Sequence, residues 1–389
     1  MKLLHVVPTY WPAVRYGGTI WSVHGLCAAL VRRGHEIHVW TTNVDGRKNS
    51  LVRTEAEIPV DGVKVKYFCS TFMRRLYWSP GMAKALKNAA NFDLMHLHSV
   101  FLWPTWAAAR AAQKNKVPYL VSPRGMLVPD LIAKKNKRLK MFWINRIEKK
   151  SLERATAVHF TSGIEAEEAA KFGIRYRKIF VVPNGYGSVF DESAAPKNSI
   201  SEAEAVRAGA AGPYLLFLGR IHWKKGLDRL IKAMAHVSEV RLVIAGNDDE
   251  NYRPALQSLA WEAKVNDRIL FMGPAYGAAK ATLIKNAKLF VLPSYSENFG
   301  NSVLEAMAVG RPVAVTPEVG LSEAITAAGA GLVTEGDAET LGKNMKQLLS
   351  DPAKLERMGE AGRALVREKY SWDGIAMAME RIYREIANP

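Results

Sequence analysis

Two carboxylates eight positions apart, Glu297 and Glu305, bracket the stretch of this chain richest in chemistry, SENFGNSVLEAM. Between them stand Gly300, Asn301 and Ser302, directly after the apolar run Ala287–Pro293. An apolar strand, a small-residue turn and a helix opening at Asn301–Ser302 present free backbone N–H groups and a positive dipole end, a natural seat for phosphate. Glu297 falls on the loop before that helix and Glu305 one turn inside it, so each reaches hydroxyls on its own side of the anion. Hydroxyls, diphosphate and ribose in series describe a sugar nucleotide. A second cluster, LGRIHWKKG, places Arg220 just past an apolar run and Lys225 five positions later. An arginine fork and a lysine point charge together suit a diphosphate.

Both clusters need strand ends to hold them, and the chain supplies strands in alternation with helices. In the first half the strands are Leu3–Val7, Glu36–Thr42, Val63–Phe68, Leu94–Leu97, Tyr119–Ser122, Ala157–Phe160 and Ile179–Val182, with an amphipathic helix over Thr19–Arg33. The stretch Tyr186–Gly212 is small, polar and aperiodic, and is expected to link two domains. Alternation then resumes with strands Tyr214–Leu218, Arg241–Ala245, Ile269–Met272, Ala287–Leu292 and Pro312–Val315. This α/β pattern predicts two doubly wound, Rossmann-like domains, residues 1–187 and 188–371. The final helix, about 372–389, is expected to pack back on the first domain. Two such domains facing across a cleft would bind ligands at the carboxyl ends of their strands.

Composition narrows the partners. With 48% apolar and 23% charged residues in 389, the chain is an ordinary globular protein in size and make-up. Cys27 and Cys69 are too few for a disulfide framework or a zinc site, which together with an N-terminus lacking a signal pattern predicts a cytoplasmic location. The net charge of +17 is uneven: residues 1–187 carry 30 Lys+Arg and 12 Asp+Glu, whereas residues 188–389 carry 24 and 25. The basic half implies an anionic partner. In KKNKRLKMFWINRIEKKSLERA, Leu139, Phe142, Trp143 and Ile147 are interleaved with Lys134, Lys135, Lys137, Arg138, Lys140, Lys149 and Lys150; in STFMRRLYWSPGM, Phe72, Met73, Tyr77 and Trp78 flank Arg74 and Arg75. That pattern predicts peripheral attachment to an anionic membrane surface. Nucleic acid is not expected as a partner, since Glu297 and Glu305 would repel a polyanion at the phosphate site. A nicotinamide-dependent oxidoreductase is opposed by the lack of G-x-G-x-x-G after the first strand.

GRxxxxKG followed by the two glutamates eight apart resembles the retaining glycosyltransferases of the GT-B fold, family 4. The resemblance runs through most of the chain. YGGTIWSVHGLCAALVRRGHEIHVWT is similar to that family's glycine loop and first helix, DLMHLHSVF to its strand-end histidine motif, and VVPNG to the end of its N-terminal domain. It implies transfer of a sugar from a UDP- or GDP-linked donor to a glycan acceptor, in cell-surface polysaccharide or lipopolysaccharide (O-antigen) synthesis. The acceptor is expected to be lipid-linked, at the cytoplasmic face of the inner membrane; a soluble sugar or sugar-phosphate acceptor is the alternative. By position, Arg220 and Lys225 would stabilise the leaving diphosphate. Glu297, with the backbone of Asn298, Phe299 and Gly300, would hold the donor sugar; Asn301 and Ser302 would donate to phosphate; Glu305 would accept from the ribose. Gly17 and Gly18 would let the backbone approach the diphosphate. His98, beyond its strand, would address the donor sugar, and Arg124 is a candidate on the acceptor side. No DxD pair ends a strand, so neither metal nor cofactor is expected.

Overall fold

Apolar runs of four to six residues bounded by Gly, Pro or polar residues become buried parallel strands, because helices cover both faces of each sheet. The computed structural model describes residues 1–14, 17–46, 48–134, 137–187 and 199–387. The chain forms two compact units, Met1–Val189 with Trp372–Pro389, and Phe190–Ser371.

The first unit contains β1 (Lys2–Val6), β2 (Glu36–Thr42), a small ribbon of β3 (Val44–Asp45) and β4 (Lys48–Asn49), β5 (Glu57–Val60), β6 (Val63–Phe68), β7 (Leu94–His98), β8 (Tyr119–Ser122), β9 (Ala157–Phe160) and β10 (Ile179–Val181). Its eight-stranded sheet has the order β10-β9-β8-β7-β1-β2-β6-β5. All neighbours are parallel except β5 and β6. Alternation along β1 splits the core: Leu4 and Val6 face one side, Leu3 the other. On the Leu3 side, helix Trp372–Ala387 packs Ile375, Met379, Tyr383 and Ile386 beside Val23, Leu26 and Leu30 of helix Gly18–Arg32. Arg33 Nε donates to Glu380 at 2.6 Å, joining the two helices at the surface.

The second unit contains β11 (Tyr214–Leu218), β12 (Arg241–Ala245), β13 (Ile269–Met272), β14 (Leu289–Leu292), β15 (Val313–Val315) and β16 (Gly331–Val333). They form one parallel sheet in the order β13-β12-β11-β14-β15-β16. The order reverses at β11/β14, where connections leave in opposite directions and a crevice opens beyond the strand ends.

Several expectations need correction. Part of Tyr186–Gly212, read as linker, is helix Glu202–Ala210, started by a capping box in which Ser201 accepts from the Glu204 backbone and the Glu204 carboxylate accepts from the Ser201 backbone. Its Ser-x-x-Glu signature was present in the sequence, but small residues masked the apolar periodicity. The first sheet is not wholly parallel, because β5 folds back on β6 about Asp61-Gly62. The basic segment with interleaved aromatics forms helices Pro129–Lys134, Lys137–Trp143 and Lys149–Arg154 with a π turn at Ile144–Glu148. Within it Leu139 and Phe142 are exposed, while Ile144 and Leu152 are buried; Lys135 lies outside the described residues. No helix among the described residues is long and apolar enough to cross a membrane.

Candidate functional site

In the second unit, three strand exits converge at the reversal of strand order. The tails of β11 and β12 touch through Gly219 and Gly246: a Cβ on Gly246 would lie 1.7 Å from the Gly219 carbonyl oxygen. After β11, the turn Trp223–Lys225 ends at Gly226, whose φ is 65° and whose added Cβ would meet the Pro293 carbonyl oxygen at 1.9 Å. Only glycine satisfies both the left-handed backbone and that approach. The Tyr295 N–H then donates to the Lys224 carbonyl at 2.7 Å, tying the loop after β14 to the turn after β11.

This stitching brings Lys225 against Glu297, 72 positions away, in a short part-buried ion pair. Glu297 is fixed from its other side by backbone bonds with the loop after β15: its N–H donates to Glu318 at 3.1 Å, and its carbonyl accepts from Gly320 at 2.9 Å. Gly300, at φ 104°, starts helix Asn301–Ala308, so Asn301 and Ser302 stand at a helix N-terminus. Phe299 is buried against Tyr370, leaving only its backbone to serve a ligand. Glu305, one turn into the helix, pairs with Lys280 at 3.2 Å. Arg220, past the end of β11, is exposed. The structure therefore gathers Arg220, Lys225, Glu297, Asn298, Phe299, Gly300, Asn301, Ser302 and Glu305 at one edge of one sheet. Lys280 is the member that sequence reading missed; nothing in the local pattern of helix Gly277–Asn286 distinguishes it from a solvated lysine.

The remaining candidates lie in the first unit, whose strand order reverses at β1/β7. Gly17 is the left-handed N-cap of helix Gly18–Arg32, with open space where a Cβ would sit. His98 corrects the sequence reading: it is the last residue of β7 rather than a residue beyond it, and it is fully buried. Strand pairing sets His5 opposite His96 and His98 opposite Ser122. A side-chain network follows on that face. His98 Nε2 lies 3.0 Å from His5 Nδ1; His96 lies 2.7 Å from both the Tyr383 hydroxyl and Ser122 Oγ; Ser122 Oγ lies 2.7 Å from His159, whose Nε2 donates to the Val182 carbonyl at 2.8 Å.

Arg124 closes the network, donating from one terminal nitrogen to His98 Nδ1 at 3.1 Å and from the other to Asn184 Oδ1 at 3.0 Å. Arginine can only donate, so His98 Nδ1 accepts and its proton sits on Nε2, which donates to His5 Nδ1. His5 then carries its proton on Nε2, a buried atom without a partner. Burial, followed by the charge of Arg124, pushes His5 and His159 down to about 3 and His98 well below the ordinary imidazole range. All three rings are neutral at physiological pH. His5, His96 and His98 are the one group among the described residues with metal-ligand atoms gathered within 4.8 Å. Their nitrogens are largely spent on hydrogen bonds and a guanidinium abuts His98, so the chemistry is that of a hydrogen-bonded network rather than a cation centre.

Both halves of the chain match known glycosyltransferases. Residues 201–365 match the model of glycosyl transferases group 1, and residues 17–185 that of a glycosyl transferase 4-like domain. An uncharacterized glycosyltransferase of Methanocaldococcus jannaschii is 28% identical over 99% of this chain and 98% of its own length. A D-inositol 3-phosphate glycosyltransferase of Xylanimonas cellulosilytica is 27% identical, covering 99% and 96% respectively. Among solved structures, sucrose-phosphate synthase from Thermosynechococcus elongatus superposes with a TM-score of 0.77 at 22% identity, over 99% of this chain and 98% of that one. The likeness of structure is one of fold, the GT-B arrangement of two Rossmann-like domains. With both halves of the chain matched in order, the protein is a glycosyltransferase of group 1.

Proposed function

We propose that this glycosyltransferase moves a sugar from a nucleoside diphosphate donor to a hydroxyl of a soluble sugar or polyol phosphate, with retention at the anomeric carbon and without a metal ion. The observation that carries the donor assignment is the convergence of Arg220, Lys225 and the Asn301 helix start at the strand-order reversal of the second sheet. Cationic side chains and helix N–H groups aimed at one spot stabilise the charge that develops on a departing β-phosphate. Glu297 holds Lys225 in place and offers its second oxygen to a sugar hydroxyl; Glu305, steadied by Lys280, offers an acceptor to the ribose.

The acceptor oxygen attacks the anomeric carbon on the face the diphosphate leaves. The C–O bond to the acceptor forms as the C–O bond to phosphate breaks, and the acceptor proton passes to the leaving phosphate oxygen. Double-displacement retention needs a free carboxylate nucleophile, and Glu297 is already engaged by Lys225. The soluble acceptor is favoured by the full-length match to a D-inositol 3-phosphate glycosyltransferase.

The test is thermal stabilisation by UDP, GDP and ADP and their sugars, with Arg220→Ala, Lys225→Ala and Glu305→Ala. A charge-assisted hydrogen bond contributes about 1.5–3 kcal/mol, so each variant is expected to weaken the preferred nucleotide roughly tenfold or more. Unchanged affinity in all three would sink the assignment.

A second reading, a lipid-linked acceptor with peripheral attachment at the cytoplasmic membrane face, is favoured by one observation. Leu139 and Phe142 are 66% and 59% exposed, beside Arg138 and Lys140, and Phe72 and Met73 are 65% and 51% exposed, beside Arg74 and Arg75. On this reading the chain co-sediments with vesicles containing anionic phosphatidylglycerol but not with neutral vesicles, and Leu139→Glu with Phe142→Glu releases it. Equal sedimentation of the double variant would count against it.

A further inference from the structure

We propose that Arg124 anchors a phosphate site of its own in the first unit, taking the phosphate monoester of the acceptor. The assignment deepens the soluble-acceptor reading above and rests on it.

Arg124 and Gly125, at the exit of β8, both have left-handed φ, 58° and 71°. At the neighbouring exit of β7, Ser99 and Phe101 do too, at 76° and 66°. A non-glycine residue in this region costs on the order of 1 kcal/mol or more, and such residues persist where surrounding structure over-determines them. Here each loop is tied by a buried carboxylate. Glu165 accepts from the Gly125 N–H at 2.5 Å and from the Thr161 N–H and hydroxyl at 2.8 and 2.7 Å. Glu148 accepts from the Phe101 N–H at 2.6 Å and from Trp143 Nε1 at 2.9 Å. Two adjacent strand exits are thus held in unfavourable backbone, and the side chain this presents is the guanidinium of Arg124.

What surrounds that guanidinium decides its use. Its two acceptors, His98 Nδ1 and Asn184 Oδ1, are both neutral. No described carboxylate pairs with it; Glu165 is the carboxylate whose charge acts on it, and the oxygens of Glu165 are taken by the loop. Nε is buried with no acceptor, although the residue as a whole remains part-exposed. The contrast with Lys225 is direct: that cation is already compensated by Glu297, whereas Arg124 keeps its full charge and spare N–H donors. An unpaired cation in a low-dielectric setting is costly unless an anion completes it. The rigid fork matches a phosphate. The chain Arg124–His98–His5 supplies the geometry without supplying negative charge, which a carboxylate in place of His98 would do.

The experiment titrates inorganic phosphate into the full-length chain by calorimetry, with UDP present at saturation, and measures UDP binding separately. Arg124→Gln is expected to weaken phosphate at least tenfold while changing UDP by less than twofold. His98→Asn keeps a neutral acceptor beside the guanidinium and is expected to retain phosphate affinity within threefold. His98→Asp places a carboxylate there and is expected to lose it as Arg124→Gln does, so this pair carries the test if Arg124→Gln does not fold. Phosphate affinity untouched by Arg124→Gln, or equal in the Asn and Asp variants, overturns the site. Loss of UDP together with phosphate in Arg124→Gln overturns the acceptor assignment and gives the anion to the donor. Failure of the donor reading shows separately, in the Arg220 and Lys225 variants.

Discussion

At the scale of single residues, the two units treat charge in opposite ways. Lys225 and Glu305 each sit against an opposite charge, Glu297 and Lys280, so the proposed donor region is a set of compensated pairs. The buried histidines are held neutral instead, and this has a consequence for stability. His5 and His159 fall to about 3 in the folded chain, against about 6.5 when unfolded. Above pH 6.5 neither state binds the proton and the two groups have no effect. As pH falls from 6.5 towards 3, the unfolded chain takes up protons that the folded chain refuses, so stability declines by about 1.4 kcal/mol per pH unit for each histidine. His159→Gln is expected to flatten the acid limb of the stability–pH curve of the first unit by close to one proton. An unaltered slope in urea titrations between pH 4.5 and 6.5 would show that His159 protonates in the folded state. The residue types at the donor site were legible in sequence because Glu297, Gly300 and Glu305 fall in one short stretch. The Lys225–Glu297 pair was not, since two residues 72 positions apart meet through the Tyr295-to-Lys224 backbone bond and the close approach of Gly226 to Pro293.

At the scale of elements, strand exits do the positioning. The parallel strands and most helices were legible because buried strands are continuously apolar and their connections are not. Helix Glu202–Ala210 escaped notice because Ala and Gly carry little periodic signal, and its evidence lay in the Ser201–Glu204 cap instead. His98 was misplaced by one residue, a distance that moves a strand-end side chain from an open edge into a sealed one. The tight approach of Gly246 to the Gly219 carbonyl yields a sharp expectation. Gly246→Ala must part β11 from β12 at their exits, and overpacking of this kind typically costs about 1–3 kcal/mol. A fall in the urea midpoint of the second unit, together with weaker nucleotide binding, is the expected result. A variant of wild-type stability and affinity would mean that the two tails separate freely.

At the scale of the whole molecule, the first unit is discontinuous in sequence: the last helix of the chain completes the unit that its first residues begin. Trp372, Ile375, Met379, Tyr383 and Ile386 belong to the core that contains Leu3, Leu26 and Leu30, and Tyr383 bonds His96 beneath it. Deleting residues 372–387 is expected to abolish the cooperative unfolding of the first unit while leaving a transition from the second, whose core draws on none of those residues. Two preserved transitions in calorimetry would contradict that division. By itself the sequence determined the fold class, the lapse of pattern between the two halves, the basic excess of the first, and the residue types of the candidate donor site. These follow from periodicity, composition and short spacing, which are local properties of a chain. Only the tertiary structure decided which charges meet, that His98 is buried and neutral, and that Arg124 has no carboxylate partner among the described residues. Those depend on strand register and on loops joined across many tens of residues, where one position of register or one backbone hydrogen bond determines what a side chain touches.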